Sequence, residues 1–183
     1  MTLVVAAVRA ELGELPGHAV GVGPIRAAVG ATALIARHRP DAVVLIGSCG
    51  AYRADHAIGQ AYAAVLVGTG DAAAASGLAY VPLPAPPLLG DPDLLARLEV
   101  PQARVLTLAA ITRDPALSGP LAADWDLEHM EAFGVAHACA QAGVPFVAVL
   151  GVANRVGPDA HAEWTQNRGM AEHAARVAVA PLT

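Results

Sequence analysis

Two side chains that could do chemistry lie at opposite ends of one predicted helix–strand unit. Glu131 opens the stretch Met130–Gln141, whose small and apolar residues predict a helix that ends at Gly143. Asn154 follows the apolar run Pro145–Val149, which predicts a strand. A carboxylate at a helix N-terminus can accept two hydrogen bonds from a vicinal diol, and an amide beyond a strand can read a base. The pair therefore predicts a purine nucleoside site; alternatively, Glu131 only complements the helix dipole and Asn154 is only a loop residue.

Other candidates follow other predicted strands. Glu11 lies three residues beyond the strand Leu3–Val8, and a second apolar strand runs into the small residues Gly47–Gly50. Because the carboxyl ends of parallel strands meet at one sheet edge, we expect Glu11, Gly47–Gly50, Thr112 and Asn154 to lie there together. Glu11 is then a candidate general base, and the small residues allow a ligand to approach the backbone. The alternatives are a solvent-exposed glutamate and small-residue packing.

Motifs for cofactors and metals are not found. The segment Gly21–Arg26 begins like a dinucleotide fingerprint but has Arg26 in place of the third glycine. Its glycines can simply allow a tight turn before a helix that starts near Pro24. The histidines near Glu131, His129 and His137, have no third donor at ligand spacing. We therefore expect neither a cofactor nor a metal.

Composition excludes several classes of function. All 11 basic residues are arginine, so the lysine chemistry of P-loop and pyridoxal enzymes is excluded. A net charge of −5 without clustered arginines argues against nucleic acid as a partner. Cys49 and Cys139 lie in small, apolar segments, which predicts buried free thiols. No apolar run is long enough for a membrane span and the N-terminal residues show no basic region before an apolar one, so we expect a soluble, cytoplasmic protein.

The order of elements predicts an α/β fold. At 183 residues the chain suits one domain, residues 1–183, in which helices flank a central, mostly parallel mixed sheet in three layers. The predicted strands are Leu3–Val8, Ala19–Val22, Asp41–Ile46, Gln60–Val67, Arg104–Ile111 and Pro145–Val149. The predicted helices begin near Arg9 and cover Ile25–His38, Asp91–Leu98, Met130–Gln141 and Asp159–Ala178. The stretches Gly68–Asp91 and Thr112–Glu128 are predicted to be surface loops that cover a pocket or contact a second subunit.

These segments, in this order, resemble the superfamily of purine nucleoside phosphorylases and methylthioadenosine/adenosylhomocysteine nucleosidases. The resemblance is carried by Leu3–Glu11, Gly21–Arg39, Val43–Ala51, Met130–Phe146 and Asn154. It implies a nucleoside phosphorylase-like fold without a cofactor. It also implies that Glu11 activates the attacking water and that Asn154 reads the base. The residues implied to bind substrate are Ser48, Gly50, Thr112, Met130 and Glu131.

Within the superfamily, the segment Asn154–Pro158 followed by Trp164 most resembles the futalosine hydrolases, which release hypoxanthine from futalosine in menaquinone biosynthesis. Adenine nucleosidases have an aspartic acid where this chain has Asn154. An amide cannot protonate a base, so Asn154 favours a 6-oxopurine, which is the better leaving group. The alternatives are another purine nucleosidase, a purine nucleoside phosphorylase or a nucleoside-binding protein without turnover.

Water is the expected nucleophile rather than phosphate. Phosphorylases hold phosphate with arginines, but one of the expected positions is Leu45 and another falls on the turn at Pro24, where Arg26 is the nearest cation. Two departures from the family pattern affect this chemistry. The first helix must be very short, which could displace Glu11, and Leu150 stands where many relatives have an arginine near the nucleophile.

The substrate's other groups also need partners. The benzoate of futalosine requires a cation, for which Arg53, His56 and Arg113 are candidates. Phe133, Trp125 or Trp164 could cover the base, and each could equally be a core residue. Because relatives close the pocket with a neighbouring subunit, the resemblance also implies a homo-oligomer, most simply a dimer.

Overall fold

Eight strands form one mixed sheet in the computed structural model, which describes residues 1–183. The strands are β1 (Thr2–Ala6), β2 (His18–Ala19), β3 (Ala42–Ala51), β4 (Ala61–Thr69), β5 (Leu88–Leu89), β6 (Gln102–Thr107), β7 (Leu127–His129) and β8 (Phe146–Arg155). The helices are α1 (Arg9–Leu12), α2 (Pro24–His38), α3 (Ala72–Ala75), α4 (Pro92–Ala96), α5 (Pro115–Ala122), α6 (Ala132–Ala142) and α7 (Ala160–Ala178), and a 3₁₀ turn covers Ala180–Leu182.

The sheet curls so that five strands form a ring. β2, β1, β3 and β8 are parallel neighbours, and β4 pairs with β8 in the antiparallel direction. β6 and β7 continue parallel to β4, and β7 then pairs antiparallel with the end of β3. The predicted α/β fold with a mostly parallel mixed sheet and flanking helices is confirmed.

Both faces of the central strands are buried, which explains their nearly continuous apolar sequences. Along β8, Ala148 and Leu150 pack in a cluster with residues of α2 and α6. Their neighbours Val147 and Val149 pack on the opposite face with residues of α4 and α7. Helices therefore cover the sheet on two sides, as the three-layer prediction requires. No helix is long and apolar enough to span a bilayer.

The two predicted loops contain regular structure. α5 and the first residues of β7 lie in Thr112–Glu128, and α3 and β5 lie in Gly68–Asp91. α5 begins because the Asp114 carboxylate accepts a hydrogen bond from the backbone N–H of Ala116 at 2.9 Å. The apolar periodicity that predicts helices is weak here because only Leu121 of α5 is buried.

Gly151 of β8 allows α7 to lie directly against the sheet. A Cβ atom at this position would lie 1.9 Å from the carbonyl oxygen of Ala171 in α7, far closer than two non-bonded heavy atoms can approach. The absence of a side chain at Gly151 therefore determines how closely α7 packs against β8. It also determines how near the side chains of α7 lie to the carboxyl end of β8.

We expect the substitution Gly151→Ala to lower the free energy of unfolding by about 1–3 kcal/mol, because α7 must move away from β8. Urea denaturation measures this loss. Gly169→Ala is the matched control within α7 itself, since a Cβ there meets nothing within 4 Å. It should be neutral or raise stability by up to about 1 kcal/mol. Equal stability of the Gly151→Ala and Gly169→Ala variants would show that the α7–β8 approach is not tightly constrained.

Candidate active site

A cavity of about 400 Å³ lies where β1, β3 and β8 end. Six of the seven candidate residues line it: Glu11, Ser48, Gly50, Met130, Glu131 and Asn154. The seventh, Thr112, is buried outside this cavity, and its neighbour Ile111 lines the wall instead. The backbone N–H of Thr112 donates a hydrogen bond to the Glu128 carboxylate at 2.9 Å. Thr112 thus contacts another residue of the protein rather than the cavity.

The pairing of β3 with β8 places Asn154. Cys49 pairs with Val152 but Gly50 pairs with Asn154, so Ala153 is the extra residue of a bulge. The missing side chain of Gly50 leaves room for the Asn154 amide, whose Nδ2 would lie 3.0 Å from a Cβ there. Nδ2 donates one hydrogen bond to the carbonyl of Arg155 at 2.9 Å. The second Nδ2 hydrogen and Oδ1 have no protein partner and can serve a ligand.

Glu131 directly precedes the first turn of α6, close to the predicted position at the start of this helix. Its Oε1 accepts a hydrogen bond from the backbone N–H of Gly23 at 2.7 Å. Gly21 and Gly23 have φ values of 100° and 87°, a conformation that favours glycine, so the glycine pair does form a tight turn before α2. The turn also presents its N–H to Glu131, a role that the sequence motif did not reveal.

Glu11 lies in the short helix α1 and still reaches the cavity. Its Oε2 accepts from the N–H of Val8 at 3.2 Å, and its Oε1 accepts from the N–H of Ser48 at 3.4 Å. Arg176 of α7 donates to the Glu11 backbone carbonyl at 2.8 Å and so ties α1 to the rest of the fold. The short first helix therefore leaves Glu11 at the cavity.

Burial changes the acidity of Glu11. It raises the pKa of the carboxyl from its usual 4.5 to about 7, although the N–H of Val8 acts in the opposite direction. A carboxyl with a pKa near neutrality is suited to accept a proton in a reaction at neutral pH.

The candidate cations lie outside the cavity. Arg53 pairs with Asp126 at 2.8 Å, His56 contacts Asp55 at 2.9 Å, and Arg113 extends to the carbonyl of Pro158 at 3.5 Å. Among the candidate aromatic residues, only Trp164 lines the cavity. Its Nε1 donates to the Ser48 hydroxyl at 3.0 Å.

Arg168 is the cation that sequence reasoning missed. It lines the cavity, has no ion-pair partner, and lies 4.9 Å from the ring centre of Trp164, one helical turn earlier in α7. The spacing of four residues after Trp164 is the signal that could have found it.

The charge around the cavity is mainly negative. Four glutamates line it, Glu11, Glu128, Glu131 and Glu172, against the single cation Arg168. Such a lining favours a ligand group that gains positive charge and disfavours a phosphate dianion. No set of three or more histidine, cysteine, aspartate or glutamate side chains is arranged to hold a metal ion.

Solved structures of a nucleosidase and of a hydrolase have a similar fold. A methylthioadenosine/adenosylhomocysteine nucleosidase of Colwellia psychrerythraea in complex with adenine superposes with a TM-score of 0.85 at 17% identity, covering 99% of this chain and 93% of that one. The futalosine hydrolase of Helicobacter pylori superposes with a TM-score of 0.82 at 15% identity, covering 99% and 94%. The architecture is thus that of the nucleoside phosphorylase-like α/β proteins.

The sequence comparisons define the family. The model of the phosphorylase superfamily matches residues 13–181, and the chain therefore belongs to the phosphorylase superfamily. A curated relative is the methylthioadenosine/adenosylhomocysteine nucleosidase of Geobacillus thermodenitrificans. It is 28% identical over an alignment of 205 residues, gaps included, and this alignment covers 99% of this chain and 86% of the relative. The superfamily predicted from the order of motifs is confirmed.

The raised pKa of Glu11 predicts a pH-dependent stability. Between about pH 4.5 and 7 the folded carboxyl keeps a proton that the unfolded chain has lost, so this group lowers the free energy of unfolding as pH rises, and the effect is complete above pH 7. We expect Glu11→Gln to stabilise the protein by about 1–3 kcal/mol near pH 8 and to have little effect near pH 4.5. Urea denaturation across this range measures the difference. Glu14→Gln, at an exposed position, is the control, and a wild-type slope in the Glu11 variant would contradict the assignment.

Proposed function

We propose that this chain is a purine nucleosidase that hydrolyses the N-ribosidic bond of futalosine and releases hypoxanthine. The proposal is carried by one observation: the carboxylates of Glu11 and Glu131 and the amide of Asn154 line the same cavity. Those groups match a water, a ribose diol and a purine, which are the three parts of this reaction.

The reaction proceeds through a sugar with oxocarbenium character. Glu131 holds the ribose O2′ and O3′ hydroxyls, and its negative charge stabilises the positive charge that develops at C1′. The electron pair of the C1′–N9 bond leaves with the purine as a water oxygen bonds to C1′. Glu11 takes the proton of that water, and Asn154 donates a hydrogen bond to the leaving purine, which takes its proton from solvent.

Hydrolysis is supported over phosphorolysis by the charge of the cavity. A phosphate nucleophile would have to approach the four glutamates with only Arg168 to hold it. Water carries no charge and needs only a base and hydrogen-bonding partners. Leu150, which replaces an arginine of many relatives, is fully buried in the core and contributes no cation.

The choice of futalosine is supported by two groups that line the cavity, Asn154 and Arg168. Asn154 suits a 6-oxopurine because an amide can donate to a carbonyl but cannot protonate a ring nitrogen. Arg168 offers an unpaired guanidinium on Trp164, where the carboxylate of a benzoate substituent can bind. The second candidate is a nucleosidase of the methylthioadenosine/adenosylhomocysteine type, which the names of the curated relatives favour.

We also propose that the protein acts as a homodimer. Val22 and Ile111 line the cavity while remaining about half exposed, and Ile25 and Val29, at the start of the following helix α2, are exposed as well. A second copy seated on these residues would close the cavity and exclude bulk water.

The proposed function is tested by product analysis on three nucleosides: futalosine, inosine and methylthioadenosine, each with and without phosphate. We expect free hypoxanthine and the reducing sugar from futalosine, at a rate that phosphate does not change. Fastest release of adenine from methylthioadenosine would favour the second candidate. A strict requirement for phosphate would overturn the hydrolytic mechanism, and Glu11→Gln, lacking the base, controls for contaminating activity.

Asn154→Asp tests the reading of the base. An aspartic acid can protonate purine N7 and can accept a hydrogen bond from an exocyclic amine. We therefore expect the kcat/KM for adenosine, divided by that for inosine, to rise about tenfold or more. This pair of nucleosides differs only in the base and isolates its contribution. Gln166→Glu makes the same amide-to-carboxylate change at an exposed position of α7 outside the cavity and is the control. An unchanged ratio in the Asn154 variant would show that this side chain does not contact the purine edge.

A further inference from the structure

His129 lies at the end of β7, between the cavity and the first turn of α6. It is 5% exposed, and its backbone is held in the sheet, where its carbonyl accepts from the N–H of Leu108 at 3.0 Å. The imidazole also lines the cavity. The fold therefore sets the position of His129 beside the cavity.

The contacts of Nδ1 determine the protonation state of the ring. Nδ1 accepts hydrogen bonds from the backbone N–H groups of Glu131 and Ala132, both at 3.1 Å. These amides lie at the start of α6, where no helical carbonyl is available to them. A proton on Nδ1 would face two donors, so the ring is neutral and carries its hydrogen on Nε2. Burial acts in the same direction and lowers the pKa of His129, against the opposing charge of Glu131.

The Nε2–H group faces the carboxylates of the site. Nε2 lies 3.4 Å from Glu131 Oε2. A Cβ on Gly47 would lie 3.4 Å from Nε2 and 3.0 Å from Glu11 Oε1, so the imidazole and the Glu11 carboxylate border the same glycine. The separation of Nε2 from Oε2 is slightly longer than a hydrogen bond, and contacts of this kind often tighten when a substrate binds.

We propose that His129 is a positioning residue for Glu131, an inference that rests on the proposed role of Glu131 in binding ribose. The Gly23 N–H holds Oε1 at 2.7 Å, and the His129 Nε2–H, 3.4 Å from Oε2, closes on that oxygen when substrate binds, so the carboxylate is then fixed at both oxygens. The remaining lone pairs face the ribose hydroxyls. A neutral donor orients Glu131 without cancelling the negative charge that the sugar's developing positive charge requires.

Two substitutions separate this role from the capping of α6. His129→Asn places an oxygen where Nδ1 was, so the cap is kept and the Nε2–H donor is lost. His129→Gln places an amide N–H where Nε2 was, so the donor is kept and the cap is lost. We expect His129→Asn to keep the wild-type melting temperature while kcat/KM falls roughly 10- to 100-fold. We expect His129→Gln to melt at a lower temperature yet lose less than tenfold in kcat/KM per folded molecule. The reverse pattern, an active Asn variant and an inactive Gln variant, would overturn the proposal.

NMR of the labelled protein tests the inference without turnover. The imidazole nitrogens of His129 should report the Nε2–H tautomer, and the carboxyl carbon signal of Glu131, assigned by its loss in Glu131→Gln, should shift in His129→Asn and not in His129→Gln. An Nδ1–H tautomer, a cationic ring or an unmoved Glu131 signal in the Asn variant would contradict the proposal. Failure of the proposed function is recognised separately, since it appears as absence of product from every nucleoside with the wild-type protein.

Discussion

The pairing of β3 with β8 is the interaction on which the site depends. β3 carries Ser48 and Gly50 at its end, and its neighbour β8 carries Asn154. β1 pairs on the other side of β3 and leads directly into α1 with Glu11, while β7 pairs with the last residues of β3 and leads to Glu131. The six candidate site residues that line the cavity thus lie on β3 itself, or on or directly after a strand paired with it. A bulge or slip in this one strand would move all of them relative to one another.

Small residues make this arrangement possible. Gly50 leaves the space that the Asn154 amide occupies, and Gly151 lets α7 approach β8 closely enough for Trp164 and Arg168 to reach the cavity. Close packing of backbone against backbone also explains the alanine- and glycine-rich composition. Where side chains are small, the positions of the elements are set by backbone contact and tolerate little added volume.

The cavity concentrates carboxylates that would be more stable in water. Burial raises the pKa of Glu11 to about 7, and the proximity of Glu131 adds to this effect. The fold offsets the penalty with backbone donors, from Val8 and Ser48 to Glu11 and from Gly23 to Glu131. Buried charge that is solvated by fixed N–H groups is a feature of sites where electrostatic stabilisation of a transition state is required.

The sequence alone determined the α/β class, the order of the main elements and the superfamily, because buried strands and alanine-rich helices have distinct periodicities and the motifs occur in a fixed order. It also pointed to Glu11 and Asn154 as candidates, since residues that follow strands in an α/β sheet meet at one edge, and to Glu131 because it opens a helix. It could not reveal α5, where only one residue is buried, or that Arg168 rather than Arg53, His56 or Arg113 lines the cavity. Those features depend on which side chains the closed ring of strands and the docked α7 bring together. Long-range packing decides this, and local patterns do not encode it.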